Sequence, residues 1–415
     1  RRLERTGLVV AAIIALDVGC ATSSRPSPNI ADSTNHSLPT VRAAANISFD
    51  GSLASYLSAA AEASPRIAAA RLRARGATEH ARSSGQLPEP TLGYAAFLSR
   101  IETRIGPQRH RIRVSQKLPW PGALGAETRA ANHLAAAETH SATVAKLSVQ
   151  RRVRELYWRL WFTRELQTIH SRHQELLREL ASSVRTQLEV GRASLAELSH
   201  IDLRVAKMND VVDGLLLEQG SLAAALGATV GLVATETPTV DAPRLRVPSA
   251  SDDDLRERSA AHPARRNHLE RAMAASSAAR ATDKRGLPSI ILGADYIEVG
   301  PREGTDSSGK DAVAVTVGLT LPIFRDRYSG QSAAARARSR ASDEEARQLA
   351  LSRGASVTGA LASIRDSLRR AKLYETTLIP QAETAYDAAI GQYLSLIHIS
   401  EPTRRRDSSR MPSSA

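Results

Sequence analysis

The stretch RVSQKLPWPG, residues 113–122, predicts the end of a β-strand and the start of an unusually long helix. Polar and apolar residues alternate from Arg111 to Leu118, which is the period of a strand whose two faces differ in character. The two prolines that follow cannot donate backbone hydrogen bonds, so they end the strand ladder. No proline occurs in the next 116 residues, and neither glycine nor proline lies between Gly125 and Gly191. At about 1.5 Å per residue, we expect a helix on the order of 100 Å long.

Residues 188–198, LEVGRASLAEL, predict a turn at the far end of this helix. Gly191 can adopt the left-handed conformation that ends an incoming helix. Ser194 and Glu197 have the spacing of a capping box, which begins an outgoing helix. We therefore expect a return helix that runs to about Leu226.

The same order of elements occurs twice, which indicates an internal duplication. The helical segment before the first predicted hairpin ends in GQLP, residues 85–88, and its counterpart ends in RGLP, residues 285–288. The fourth predicted strand ends in GLTLPIF, residues 318–324, where the second strand ended in QKLPWPG. The repeating unit is a helix, a hairpin, a long helix, a turn and a return helix, and we expect the second copy to be cut off at the turn.

The domain boundaries follow from this repeat. Because aromatic residues are 4% of the chain while alanine and leucine are abundant, we predict a mainly α fold with a small β part and thin packing seams. Tyr157, Trp158, Trp161 and Phe162 are predicted to be buried in such a seam. The predicted segments are a signal-like segment at 1–20, a tether at 21–47, a first repeat at 48–226 with strands at about 91–99 and 111–118, a connector at 227–251, a second repeat at 252–393 with strands at about 289–299 and 311–321, and a tail at 394–415.

The beginning of the chain has the pattern of an export signal. Basic residues precede a short apolar run from Leu8 to Leu16, and Gly19 is followed by Cys20. The run is too short to span a bilayer as a helix, so we expect export and cleavage. Cys20 resembles the lipidated cysteine of a bacterial lipoprotein, although Asp17 stands where a leucine-like residue is usual. The alternative is an incidental cysteine beside an ordinary cleavage site.

The end of the chain predicts an artefact rather than a fold. LSLIHISEPTR, residues 394–404, and SRMPSSA, residues 409–415, match two blocks of the translation of a common sequencing-library adapter. We therefore expect the genuine sequence to stop near Tyr393 here and to continue in the intact gene.

The formal net charge of +13 does not by itself indicate nucleic-acid binding. Its basic residues are spread along the chain among glutamates, whereas a nucleic-acid interface concentrates basic and aromatic residues on one element. The sequence has no phosphate-binding glycine loop, zinc-binding histidine pair or nucleophile elbow. His170 and His173 share a helical face, but no acid and third ligand complete a metal site beside them. We predict no catalysis, cofactor, metal centre or nucleic-acid partner.

The predicted strands are about ten residues long and have one apolar face, which suits a strand that crosses a bilayer in a barrel. Four strands cannot close a barrel around a channel, so several subunits would have to contribute. A hairpin packed on a soluble helical domain is the alternative.

Residues 50–393 resemble the TolC family of outer-membrane efflux proteins. The resemblance rests on the duplicated halves, on QKLPWPG and GLTLPIF, and on VGRAS at residues 190–194. It implies long α-helical hairpins and four transmembrane β-strands per subunit, which a homotrimer assembles into a twelve-stranded barrel with an α-helical periplasmic tunnel. It also implies a passive channel in the Gram-negative outer membrane that exports small molecules or metal ions with a periplasmic adaptor and an inner-membrane pump. The PWPG form is similar to members that accompany heavy-metal pumps.

The same resemblance implies roles for two groups of residues. Val190, Gly191, Arg192 and Ser194 lie where the first helical tip of the family contacts the adaptor, and plain turn chemistry is the alternative for them. Trp120, Tyr94, Tyr296 and Phe324 lie near strand ends, where aromatic residues mark a membrane interface. Packing at the joint between barrel and tunnel is the alternative for Trp120. A soluble or peripheral helical coiled-coil scaffold is the alternative for the whole chain.

Overall fold

The computed structural model describes residues 50–232, 249–304, 309–389 and 391. These residues all belong to one unit of the chain, Ile47–Ala415. The signal-like segment with Cys20, the tether at 21–47, the middle of the connector and the tail at 394–415 lie outside the described residues, so their predictions stay predictions.

The described elements follow the predicted order twice, and the fold is mainly helical with one small sheet. Each repeat contains a short helix, a second helix, a hairpin and a long helix, and the first repeat adds a return helix. A π-helical turn, Tyr374–Leu378, interrupts the last helix, which continues over residues 379–389. The elements are α1 (Leu53–Ala63), α2 (Pro65–Ser83), β1 (Thr91–Thr103), β2 (Gly106–Leu118), α3 (Ala123–Glu189), α4 (Leu195–Val230), α5 (Asp252–Ala260), α6 (Pro263–Arg285), β3 (Ser289–Val299), β4 (Ala312–Thr320) and α7 (Arg325–Leu373).

Helix α3 is the long helix that the sequence predicts, and it has 67 residues. At about 1.5 Å per residue it is about 100 Å long. It contacts α2, α4 and α6, while α7 contacts α5 and α6. Alanines such as Ala126 and Ala137 are fully buried, and the Asn267 side-chain amide of α6 donates to the Ala137 carbonyl oxygen at 2.6 Å. Small side chains therefore let these helices approach closely, as the thin-seam prediction requires.

One larger apolar cluster joins α1, α2, α3 and α4. Tyr157 is 1% exposed, packs edge-on against Tyr56, and donates its hydroxyl to the Gly51 carbonyl oxygen at 3.0 Å. Trp158 packs against the same cluster. The prediction that Phe162 is buried is wrong, because its side chain is 58% exposed on the surface of α3. The buried members of the cluster are Tyr56, Ala59, Ala60, Ile67, Val149, Val153, Leu156, Tyr157, Leu160, Leu222, Leu226 and Val230.

Helix α4 is, within the described ranges, the helix that could cross a membrane by length and composition alone. That finding is weak support for a span, because the core helix of a soluble protein passes the same test. Three residues near its end, Leu222, Leu226 and Val230, are buried in the cluster just described, which makes this end a core helix.

The sheet has the order β1-β2-β3-β4, and all neighbouring strands are antiparallel. Strand β1 continues to Thr103 rather than to Ser99, and β2 starts at Gly106 rather than Arg111. The register shifts between Ala96 and Ile101, after which Ile101 pairs with Gln108. This irregularity breaks the alternation, so the sequence pattern stops before the strands do.

Helix α6 begins with an unusual cap that predicts a pH dependence. The ring nitrogen Nδ1 of His262 accepts a hydrogen bond from the Ala264 backbone N–H at 3.1 Å, and Pro263 follows as the first helical residue. Desolvation by burial lowers the pKa of His262, and the nearby charge of Arg353 lowers it further. A protonated ring cannot accept this bond. The stabilising effect of the cap is therefore complete above the unfolded pKa of about 6.5 and is lost as the pH falls through the lowered folded pKa.

We expect His262→Asn to remove this pH dependence, because asparagine accepts the same bond without titrating. At pH 7.5 the two proteins should unfold at similar temperatures. Between pH 6.5 and pH 5 the wild type should lose about 1 kcal/mol relative to the variant, which is the usual contribution of a helix cap. Thermal unfolding followed by circular dichroism checks this, and parallel curves for the two proteins at all pH values would contradict it.

Candidate functional site

One face of the sheet is apolar across all four strands. Directly paired residues of antiparallel strands share a face, so the register alone places Leu92, Val114, Ala294 and Val315 in one row. Gln116 is the polar exception within the band. We call this surface the apolar face, and it consists of Leu92, Tyr94, Ile112, Val114, Leu118, Ile290, Leu292, Ala294, Tyr296, Val313, Val315, Val317 and Leu319.

The apolar face is open rather than covered by helices. Val315 is 78% exposed, Leu92 is 72% exposed and Val313 is 72% exposed. Single exposed apolar residues are ordinary, but a continuous patch of this kind marks a surface that contacts protein or lipid. The helices of the described chain do not provide that contact.

The two outer edges of the sheet are also open within the described residues, since β1 pairs only with β2 and β4 pairs only with β3. Open edges expose unpaired backbone N–H and C=O groups and are sites where another chain can add a strand. An apolar face combined with two open edges indicates an incomplete structure that continues into other copies or partners.

The opposite face of the sheet is built mostly from small, polar and charged residues, with Ile291 and Ile297 as its large apolar members, and we call it the polar face. Its centre is an ion pair in which Nε of Arg113 lies 2.7 Å from Oδ1 of Asp295, a side chain that is 3% exposed. The register pairs these two residues directly across β2 and β3. The polar face consists of Thr91, Gly93, Ala95, Arg111, Arg113, Ser115, Lys117, Ser289, Ile291, Gly293, Asp295, Ile297, Ala312, Ala314, Thr316, Gly318 and Thr320.

The structure brings Tyr94 and Tyr296 into one row of the apolar face, on either side of Ile112. The next row towards the hairpin turns is polar, with His110 paired to Glu298. The hydroxyl oxygen of Tyr94 lies 2.8 Å from Nδ1 of His110, whose tautomer decides which atom donates. The two tyrosines therefore stand at the boundary between the apolar band and the polar hairpin ends.

Trp120 and Phe324 lie at the other end of the band, where β2 and β4 lead into helices, and they are 41% and 75% exposed. Ile112 of the tyrosine row and Trp120 are eight residues apart, which is about 26 Å along a strand. In a barrel whose strands tilt by about 40°, this length would become about 20 Å along the membrane normal. The apolar band of outer-membrane barrels is about 25 Å tall.

Trp120 also borders a cleft of about 500 Å³ at the joint between the sheet and the helices. The joint is held by contacts that the sequence analysis missed. The side-chain amide of Gln116 donates to the Pro88 carbonyl oxygen at 2.6 Å, and Nζ of Lys284 donates to the Pro121 carbonyl oxygen at 3.2 Å. Arg285 forms an ion pair with Glu127. Lys284 and Arg285 belong to the second repeat, so these contacts connect it to the first. In the sequence, only the position of these residues at the RGLP motif indicated this role.

The turn between α3 and α4 is capped at both sides. Gly191 has a φ of 72°, its N–H donates to the Leu188 carbonyl oxygen at 3.0 Å, and the Arg192 N–H donates to the Gln187 carbonyl oxygen at 2.8 Å. These two bonds are the Schellman motif. Ser194 and Glu197 form the predicted capping box. The left-handed glycine and the capping box are confirmed.

Two of the four residues at this turn present side chains that the turn itself does not need. Val190 is 64% exposed, and Arg192 is exposed. Ser194 and Gly191 are accounted for by the capping that they perform. An exposed apolar residue beside an exposed cation at the far end of a long helical hairpin is suited to contact another protein.

No metal centre emerges from the described ranges, in which no group of three or more His, Cys, Asp and Glu side chains converges. Two histidines each pair with a single carboxylate, His133 with Glu270 at 2.8 Å and His268 with Glu345 at 3.0 Å.

Comparison with protein families finds a match in the second half of the chain. Residues 262–395 match the family model described as outer membrane efflux protein, and this segment covers α6, the hairpin of β3 and β4, and α7. This segment, about a third of the chain, is similar to the outer membrane efflux protein family. The family is one of efflux proteins and not of enzymes.

Solved structures share the fold of this chain over most of its length. A membrane protein from Pseudomonas aeruginosa matches with a TM-score of 0.68 and 17% identity, covering 83% of this chain and 82% of that one. The outer membrane protein VceC from Vibrio cholerae matches with a TM-score of 0.57 and 20% identity, covering 87% of each chain. CusC, which forms a transmembrane channel, matches with a TM-score of 0.55 and 16% identity, covering 85% of this chain and 81% of its own. No curated protein matches significantly.

Proposed function

We propose that this protein is a member of the outer membrane efflux protein family and the outer-membrane channel of a tripartite efflux system, a passive export duct for small molecules or metal ions. The observation that carries the proposal is the open apolar face with its two open edges, set at the end of helices about 100 Å long. Irregular or unpaired backbone is not tolerated in lipid, so such a sheet needs closure into a barrel.

Closure by three copies fits the sheet. Strands β1 and β4 of one chain run in opposite directions, so β4 of one copy can pair antiparallel with β1 of the next. Three copies of a four-stranded sheet give a twelve-stranded barrel, which has the even strand number of such channels. In this homotrimer the apolar face contacts lipid and the polar face lines the channel, with Tyr94, Tyr296, Trp120 and Phe324 near the membrane interfaces.

The helices supply contacts for a second part of the same assembly. Phe162, Ile169 and Leu176 are 58%, 62% and 58% exposed on α3. Their seven-residue spacing is that of a coiled-coil seam. Packing of these residues against neighbouring copies would continue the barrel as a helical tunnel through the periplasm.

The tip at Val190, Gly191, Arg192 and Ser194 would meet the periplasmic adaptor, and the adaptor would link the tunnel to an inner-membrane pump. The channel itself would supply no energy, and its opening would be a movement of helix tips. Lipidation of Cys20 would add an anchor in the outer membrane.

A soluble or peripheral helical coiled-coil scaffold is the competing function. It shares the exposed seam on α3, but it gives no role to the apolar face, of whose thirteen residues nine are exposed and four are half-buried in a single chain. The apolar face therefore favours the channel.

Expression of the intact gene in a Gram-negative strain that lacks its own copy tests the proposal. We expect the protein in the outer-membrane fraction, extractable only by detergent, and migrating as a trimer on gels when it is not heated. We also expect it to restore export of the compound that the deficient strain accumulates. A protein that is released as a soluble species by breaking the cells would overturn the channel and leave the scaffold.

A further inference from the structure

The polar face carries an excess of positive charge that selects the kind of molecule the channel passes. Three cations, Arg111, Arg113 and Lys117, lie on this face, and Asp295 is the one carboxylate that shares it in the register of the four described strands. This inference rests on the proposed function, in which the polar face lines the channel.

Only one of the three cations is neutralised by a neighbour. Arg113 contacts Asp295 at 2.7 Å, and this carboxylate is 3% exposed, so the pair is fixed and contributes little net charge. In the described part of the chain neither Arg111 nor Lys117 has a carboxylate within ion-pair distance. The guanidinium of Arg111 lies 5.8 Å from the ring centroid of Phe97, a contact that holds the side chain but leaves its charge in place.

The row neighbours of these two cations carry no charge, and none has a side chain as long as arginine or lysine. Arg111 shares its row with Ala95, Ile297 and Ala312. Lys117 shares its row with Ile291 and Gly318. Acidic residues near the strands are directed elsewhere, since Glu298 lies in the row of His110 on the other face and Asp311 accepts a hydrogen bond from the Tyr296 hydroxyl at 2.6 Å.

Three copies would therefore place two rings of unpaired positive charge in the channel. Arg111 and Lys117 are six residues apart, so the rings are about 20 Å apart along β2. This separation exceeds the Debye length of about 8 Å at physiological ionic strength, so each ring acts separately. A charged passage with low-dielectric walls concentrates ions of the opposite sign.

We infer that the barrel of this protein favours anionic cargo, meaning small molecules that carry a carboxylate, sulfonate or other anionic group, over free metal cations. The proposed function alone does not distinguish small molecules from metal ions as the exported cargo, and this inference does.

Reversal potentials in planar lipid bilayers test this inference directly. The full-length trimer is reconstituted under a tenfold gradient of KCl, and we expect chloride to be several-fold more permeant than potassium. The double variant Arg111→Gln, Lys117→Gln should bring the permeability ratio close to one. The matched double variant Arg111→Lys, Lys117→Arg keeps both charges and should retain the wild-type ratio.

The outcomes separate the inference from the proposed function. A channel that prefers potassium, or one whose chloride preference survives the glutamine variant unchanged, overturns the inference while the channel function stands. A protein that forms trimers in outer membranes but no conductance in bilayers overturns both.

Discussion

Replacement of Val315 with lysine is expected to reduce the amount of assembled trimer in the outer membrane by more than tenfold. Val315 pairs with Ala294 in a central row of the apolar face, between the row that contains Leu292 and the row that contains Tyr296. Its side chain is 78% exposed in the single chain. A lysine on the lipid face near the bilayer centre costs about 2–4 kcal/mol per copy. Since about 1.4 kcal/mol is a factor of ten, one copy alone suffices for this loss.

The neighbouring residue supplies a matched control. Thr316 lies one position further along β4, on the polar face, and it is also exposed. Thr316→Lys introduces the same side chain into the same strand but directs it to the channel side, so trimer levels should remain near those of the wild type. Unheated gel electrophoresis of detergent-extracted outer membranes measures both. Equal losses for the two variants would falsify the assignment of the faces.

Changes at the helical tip are expected to uncouple the channel from its pump without removing it from the membrane. Proline at position 191 cannot adopt the φ of 72° found there, and it removes the N–H that donates to the Leu188 carbonyl oxygen. Arg192→Glu reverses the charge of an exposed side chain and shortens it. We expect both variants to lower efflux by about tenfold or more, because proline disrupts the turn that presents the tip and glutamate removes a cation from the proposed contact surface, and a loss of about 1.4 kcal/mol is a factor of ten.

Arg192→Lys keeps the charge and controls for the substitution itself, while Gly191→Ala controls for the turn. An added Cβ at position 191 meets no heavy atom within 4 Å, so alanine introduces backbone strain alone, on the order of 1 kcal/mol. Both controls should retain efflux, and all four proteins should form trimers. Normal export by Arg192→Glu and Gly191→Pro in cells with normal trimer levels would remove the docking role and leave turn chemistry as the only function of these residues.

Local signals in the sequence predicted most of the fold. The prolines after Leu118 end β2, and the long interval without glycine or proline becomes the 67-residue helix α3. Gly191 and the capping box of Ser194 and Glu197 needed only spacing and residue type, because the interactions that define them lie within one turn of chain. The repeat then supplied the second half by analogy with the first.

Features that depend on distant residues could not be predicted in the same way. The alternation in β2 placed Arg111, Arg113 and Lys117 on one side, but the ion pair of Arg113 with Asp295 joins residues that are 182 positions apart and requires the register of β2 against β3. Phe162 has the spacing of a core residue and is nevertheless exposed. Periodicity indicates that a residue belongs to a seam, but it does not say whether the partner is in the same chain.

The open edges of β1 and β4 would make a newly made single chain prone to aggregation before it assembles. A single chain can complete its helices and hairpins alone, since these contacts are local in sequence, but it cannot pair those edges or cover its apolar face. Exposed edges and apolar surface are what drive strand-to-strand aggregation of incomplete folds. If the proposed trimer forms, assembly with two identical chains would therefore compete with aggregation, and we expect newly made chains to aggregate unless another protein covers the open edges and the apolar face until assembly.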